Sequence, residues 1–141
     1  MNLRVLYEDN HLIAVIKPAG ILIQAGDRKS PNFMDEVKQH LKEKYKKEGN
    51  VFLGLVHRLD RPVSGIVVFA KTSKGASRLS EQFRNREVRK TYIALIEGRI
   101  NESGTLIHFL KKDEEKIIAE ISATDSEGYQ RAELDYELIR A

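Results

Sequence analysis

The run Gly65-Ile-Val-Val-Phe-Ala70 constrains this chain more than any other six residues. An unbroken apolar stretch of β-branched and aromatic side chains reads as a buried strand. The turn signal Ser64-Gly65 opens it and Lys71 closes it. Immediately before it stand Val56-His57-Arg58-Leu59-Asp60-Arg61-Pro62-Val63, which put an imidazole, a guanidinium and a carboxylate within four residues. Arg61 precedes a proline, so its backbone is biased toward extended conformations. Pro62 lacks an amide hydrogen and suits a turn or an edge. Asp60 is therefore expected in a constrained loop at the mouth of a buried strand, where a rigid scaffold commonly presents reactive groups.

A carboxylate held in this way can act as base, acid or nucleophile, with its pKa set by its surroundings. The same residues also admit a purely structural role. Asp60 can bond its own loop amides as an Asx turn, Arg58 can pair with it, and His57 can be a satisfied core histidine. No second carboxylate stands near enough to suggest glycoside hydrolysis. The four histidines, His11, His40, His57 and His108, show no metal-ligand spacing, so no metal is expected.

Short strands are expected at Leu3–Tyr7 and Leu12–Ile16, separated by the turn Glu8-Asp9-Asn10. Lys17-Pro18-Ala19-Gly20 breaks the second, and Ile21–Gln24 is expected to resume extended structure. Ser30-Pro31 reads as an N-cap and first helical residue. Phe33, Val37, Leu41 and Tyr45 then form a stripe at helical spacing, which Gly49-Asn50 stops. Thr72 or Ser73 can cap a second helix with Ala76, Leu79 and Phe83 on one face. Further strands are expected at Val88–Glu97, Thr105–Leu110, Ile117–Ile121 and Ala132–Ile139. Lys71 reads as the surface end of a strand. The pattern predicts an α+β fold, one domain over 1–141, built on a mainly antiparallel (mixed) sheet with helices packed on it.

Charge is unevenly spread. Residues 1–100 carry 19 Lys/Arg against 11 Asp/Glu, whereas residues 101–141 carry 5 against 10. A basic body suggests an anionic partner. Arg84, Arg86, Arg89 and Lys90 are the densest cationic cluster outside Lys38–Lys47, and the latter reads as a solvated helix face. Cysteine is absent, which excludes disulfide and thiolate chemistry. No secretory signal is read in Met1–Asn10, and no apolar run reaches the roughly 20 residues that span a bilayer. A cytoplasmic protein is expected.

HRLDRPVSGIVVFAK, residues 57–71, closely resembles the catalytic motif of the RluA-type pseudouridine synthases. Ile16-Lys17-Pro18-Ala19-Gly20 resembles that family's early lysine–proline motif, and Arg89–Gly98 (RKTYIALIEG) resembles its tyrosine-bearing strand. The resemblance runs from about Tyr7 to Gly98 and weakens beyond. It implies a pseudouridine synthase-like catalytic fold. It also implies isomerisation of uridine in rRNA or tRNA, without cofactor or metal. RNA would be the partner, with no DNA or membrane involved.

On this resemblance Asp60 matches the essential aspartate, as nucleophile or as base. Arg58 matches the arginine that fills the space left by the flipped base, and Tyr92 the tyrosine that packs on the uracil. His57 lies near the flipped base. Lys17, Pro18, Leu59, Ser64 and Gly65 shape the site, and Arg84, Arg86, Arg89 and Lys90 meet phosphates. The family usually carries a later motif, roughly G-R-T/K-H-Q-I-R, whose arginine pairs with the aspartate. It does not occur in these 141 residues. The expectation is an incomplete catalytic domain that is weak or inactive alone, with no separate RNA-binding module before it. A catalytically silent RNA-binding module is the alternative.

Overall fold

The structure, a computed structural model, describes residues 3–24, 31–113 and 118–140. They fall into two compact units, Met1–Thr91 and Tyr92–Ala141. In the first, Val5–Glu8 (β1) and Leu12–Lys17 (β2) form an antiparallel hairpin. Asp9 shapes its turn. Its Oδ1 accepts the amides of His11 and Leu12, both at 2.7 Å, and its Oδ2 accepts the Tyr7 hydroxyl at 2.8 Å.

Phe33–Lys44 (α1) follows, then Gly54–Leu55 (β3), Gly65–Ala70 (β4) and Ser73–Arg84 (α2). The sheet order is β1-β2-β4-β3. β2 and β4 pair residue for residue, from Leu12 opposite Ala70 to Lys17 opposite Gly65. The segments that follow Lys17 and precede Gly65 therefore leave the same end of the sheet.

Strand alternation sends Ile13, Val15 and Lys17 to the buried face of β2. Val67 and Phe69 lie opposite Val15 and Ile13. Phe33, Val37 and Leu41 bury the helical stripe of α1, with Phe33 and Phe69 rings 6.4 Å apart. These residues, with Ile23 and Leu53, are the core. α2 packs on β3 and β4. Gly54 permits that approach, because a Cβ there would stand 2.8 Å from the Ala76 Cβ.

Three details around α1 differ from the sequence reading. Asn32, rather than Ser30, caps α1; its side chain accepts the Asp35 amide at 3.1 Å and donates to Asp35 Oδ2 at 2.7 Å. Ser30 lies outside the described residues, as does Ile117. Ile21–Gln24 forms no strand. Its Leu22 and Ile23 carbonyls instead accept the amides of Phe33 and Met34, which α1 leaves unpaired at its start. α1 ends at Tyr45, before Gly49-Asn50.

Lys71 is not simply a surface terminus. Its ammonium donates to Glu8 at 2.7 Å and to the Asp9 carbonyl at 2.6 Å, and it sits 4.8 Å from the Tyr45 ring centroid. Lys44 and the Tyr45 hydroxyl also donate to Glu8. Burial alone would raise the Glu8 carboxyl, but the bonds from Lys44, Lys71 and Tyr45 outweigh it and lower the pKa to about 2. A depressed carboxylate contributes stability that is whole above its unfolded value and is lost as pH falls toward the folded one. This knot should therefore weaken between the ordinary value of 4.5 and about pH 2. Glu8→Gln is expected to lower stability at neutral pH by on the order of 2 kcal/mol and to flatten the acid limb. Urea unfolding across that range measures both.

The second unit is an antiparallel sheet of Ser103–Asp113 (β5), Ile118–Ser122 (β6) and Gln130–Glu137 (β7), in the order β6-β5-β7. Its register puts Leu106, Leu110, Ile121 and Leu134 on one face. No described residue of this unit is buried. The expected strand Val88–Glu97 does not form. Its alternation specifies which side chains would share a face, but a ladder needs a partner, and no described strand pairs with it.

Candidate active site

Lys17 ends β2 on the core side and is fully buried. Its ammonium donates to the carbonyls of Pro18 and Ile21, both at 2.9 Å, and of Arg61 at 3.3 Å. Three hydrogens meet three acceptors, which is how a buried cation is tolerated without a counter-ion in contact. Gly20 adds a reciprocal tie. Its amide donates to the Arg61 carbonyl at 2.7 Å, and the Arg61 Nε donates to the Gly20 carbonyl at 3.0 Å. Gly20 has φ +89, a left-handed backbone that favours glycine. The lysine–proline loop and the aspartate loop are thus fastened at Arg61, next to Asp60.

Asp60 begins a turn in which its carbonyl accepts the Val63 amide at 3.1 Å. Its carboxylate is exposed and accepts no hydrogen bond from any described residue. Neither the Asx turn nor the Arg58 pair occurs. Lys17 does not form an ion pair with Asp60, yet the two interact. Burial lowers the lysine pKa, and the Asp60 charge opposes part of that shift.

His57 does resemble the satisfied core histidine. Its half-buried ring stacks on Phe83 at 4.9 Å and 17°. The Val68 amide donates to its Nε2 at 3.0 Å, one position beyond the last β3–β4 pair, Leu55 opposite Phe69. An accepting Nε2 places the proton of the neutral ring on Nδ1. Burial, and then the charge of Lys90, lower its pKa. Folding favours the neutral ring, so its contribution is whole above about pH 6.5 and declines as pH falls below it. His57→Ala is expected to cost about 1–3 kcal/mol by stranding the Val68 amide. His57→Gln keeps an acceptor, so it should recover part of that and lose the pH dependence. Urea unfolding at about pH 7.5 and about pH 5 separates them.

The Phe83 stack also places the end of α2 beside this loop. Arg84 closes α2, Arg86 follows with φ +59, and Arg89 and Lys90 come next. All four are exposed and none forms an ion pair with a described residue. Lys90 acts at the loop through the charge it exerts on His57. Arg58 and Ser64 are exposed, Leu59 packs at the core margin, and Gly65 opens β4 with φ +150. Tyr92 opens the second unit as an exposed residue outside any strand. Among the described residues no three His, Asp or Glu side chains are grouped to hold a metal, and no helix is long and apolar enough to cross a membrane.

What the sequence reading missed is the depth of Lys17 and its hold on Arg61. The signal was present, since the alternation of Ile13 and Val15 continues to Lys17.

Residues 11–141 match the model of the RNA pseudouridylate synthase family. The tRNA pseudouridine synthase C of Pasteurella multocida (strain Pm70) is 37% identical over 143 residues, covering 96% of this chain and 54% of that protein. Its counterpart in Vibrio cholerae serotype O1 is 39% identical over 133 residues, covering 89% and 50%. This chain spans about half the length of the curated relatives it matches. Two solved human structures share the fold. RNA Pseudouridylate Synthase Domain Containing 4 has a TM-score of 0.70 at 18% identity, over 96% of this chain and 53% of that one. Domain Containing 1 has a TM-score of 0.67 at 21% identity, over 95% and 51%. The chain belongs to the RNA pseudouridylate synthase family.

Proposed function

We propose that this chain supplies the aspartate-bearing part of a site that isomerises uridine to pseudouridine in RNA. The relatives carry tRNA in their names, so tRNA is the substrate class to test first. The observation that supports this best is the carboxylate of Asp60, which accepts no hydrogen bond from any described residue and is exposed on a turn that Lys17 and Gly20 fasten through Arg61. A carboxylate spent on its own loop would have argued for scaffolding.

In the reaction, uridine leaves its stack at a cost of a few kcal/mol. Asp60 acts on it as nucleophile or as base. The C1′–N1 bond breaks, the uracil turns, C5 bonds to C1′, the C5 proton leaves, and N1 takes one up. Atoms balance without any cofactor. Arg58 suits the vacated space in the RNA, since a planar cation stacks and hydrogen-bonds. Tyr92 suits a stacking role, worth about 1–3 kcal/mol. Arg84, Arg86, Arg89 and Lys90 suit phosphates. Residues 1–141 act as one catalytic domain in this reading.

Asp60 has no cation bonded to it among the described residues. We therefore expect residues 1–141 alone to turn over weakly, and a form extended by an arginine-bearing strand to turn over faster. Tritium release from RNA labelled at uracil C5 tests the activity in both forms. Salt-sensitive RNA binding with no release from either would favour the silent binding module.

A further inference from the structure

A groove runs between the β1–β2 turn and α2, lined by Asp9, His11, Leu12, Lys74, Arg78 and Gln82. Its one acid, Asp9, is held ionised by neutral donors of the turn, so one negative charge stands against the two cations of Lys74 and Arg78. Lys74 and Arg78 stand four residues apart and so share a flank of α2. Both are exposed, and neither forms an ion pair with a described residue. Leu12 and Leu79 give the groove an apolar base beneath these two cations, which outnumber the single carboxylate.

The position matters as much as the charge. The groove lies at the end of β2 opposite Lys17, since β2 runs from Leu12 to Lys17. α2 then spans about 15 Å from Lys74 to Arg84, where Phe83 meets His57 and the cationic segment to Lys90 begins. One rigid helix joins two cationic stations, only one of them beside His57. An open groove with long, exposed cations suits a polyanion. A single small anion needs a closed cradle of fixed donors.

We propose that this groove is a second contact for the RNA backbone, in which Lys74 and Arg78 hold phosphates flanking the target uridine at the end of the unit remote from Asp60. The inference rests on the RNA reading above. It assigns the groove to affinity rather than to chemistry.

The test compares Lys74→Gln/Arg78→Gln with Lys42→Gln/Lys47→Gln, which removes equal charge from exposed positions on and just after α1. Anisotropy titrations of a fluorescein-labelled RNA stem–loop are run over a range of KCl concentrations. Each lost phosphate contact reduces the slope of log affinity against log salt by about 0.7–0.9. The groove variant should therefore lose about 1.5 in slope, and roughly tenfold in affinity near 0.1 M salt. The α1 variant should keep the wild-type slope. An unchanged slope in the groove variant, or an equal loss in both variants, overturns the proposal. A wild-type affinity indifferent to salt would instead remove the RNA reading itself.

Discussion

Asp60→Ala is expected to lower pseudouridine formation by about 10²–10⁴-fold or more while leaving RNA affinity within about threefold. The reasoning starts from what the carboxylate does not do. It is exposed and accepts no hydrogen bond from any described residue, so the fold loses only its charge on buried Lys17 when it goes. Stability should stay within about 0.5 kcal/mol. Asp60→Asn is the sharper variant, because it keeps the shape and removes only the charge. Losing a negative charge beside Lys17 and Arg58 should hold RNA binding level or tighten it. Tritium release gives turnover, anisotropy gives affinity and urea unfolding gives stability, each in whichever form of the protein turns over faster. Asparagine at wild-type rate would remove Asp60 from the chemistry.

Lys17→Met is expected to have the opposite profile, costing about 2–4 kcal/mol of stability as well as activity. Methionine matches the stem but not the three donors, so the carbonyls of Pro18, Ile21 and Arg61 lose their bonds. Bonds to a charged donor contribute about 1.5–3 kcal/mol each. Relief of burying the ammonium offsets part of that sum. Activity falls because Arg61 adjoins Asp60, and its carbonyl keeps only the Gly20 amide at 2.7 Å. Urea unfolding beside tritium release checks this. A variant within about 0.5 kcal/mol of wild type would show that the clamp is dispensable.

Period and punctuation made much of the fold legible. Ile13, Val15, Val67 and Phe69 alternate as strands, and Phe33, Val37 and Leu41 recur as a helix, because each pattern is a local response to one apolar interior. Thr72 as a cap followed from its hydroxyl, which accepts the Gly75 amide at 3.1 Å. Partnership was not legible. Val88–Glu97 has strand-like alternation but no ladder, since pairing is set by distant chain. Lys71 looked like a terminus because nothing local reveals that Glu8 and Tyr45 converge on it.

At the site, the motif pointed to Asp60, whereas only the structure shows that no described residue donates a hydrogen bond to its carboxylate. His57 shows the reverse. Residue type allowed a satisfied core role, and the Val68 amide and Phe83 ring fill it.

The contrast between the two units bears on how the molecule opens. Among the described residues, every fully shielded apolar side chain belongs to Met1–Thr91, whereas the β6-β5-β7 sheet rests on its ladder with Leu106, Ile121 and Leu134 wet. Three strands without a dry face gain little from being together. Local opening there needs only a small fraction of the free energy that dismantles β2, β4 and α1. Slow amide exchange would then be a property of the unit that holds Asp60, and the smaller, acidic unit would trade its hydrogens with solvent long before the protein unfolds.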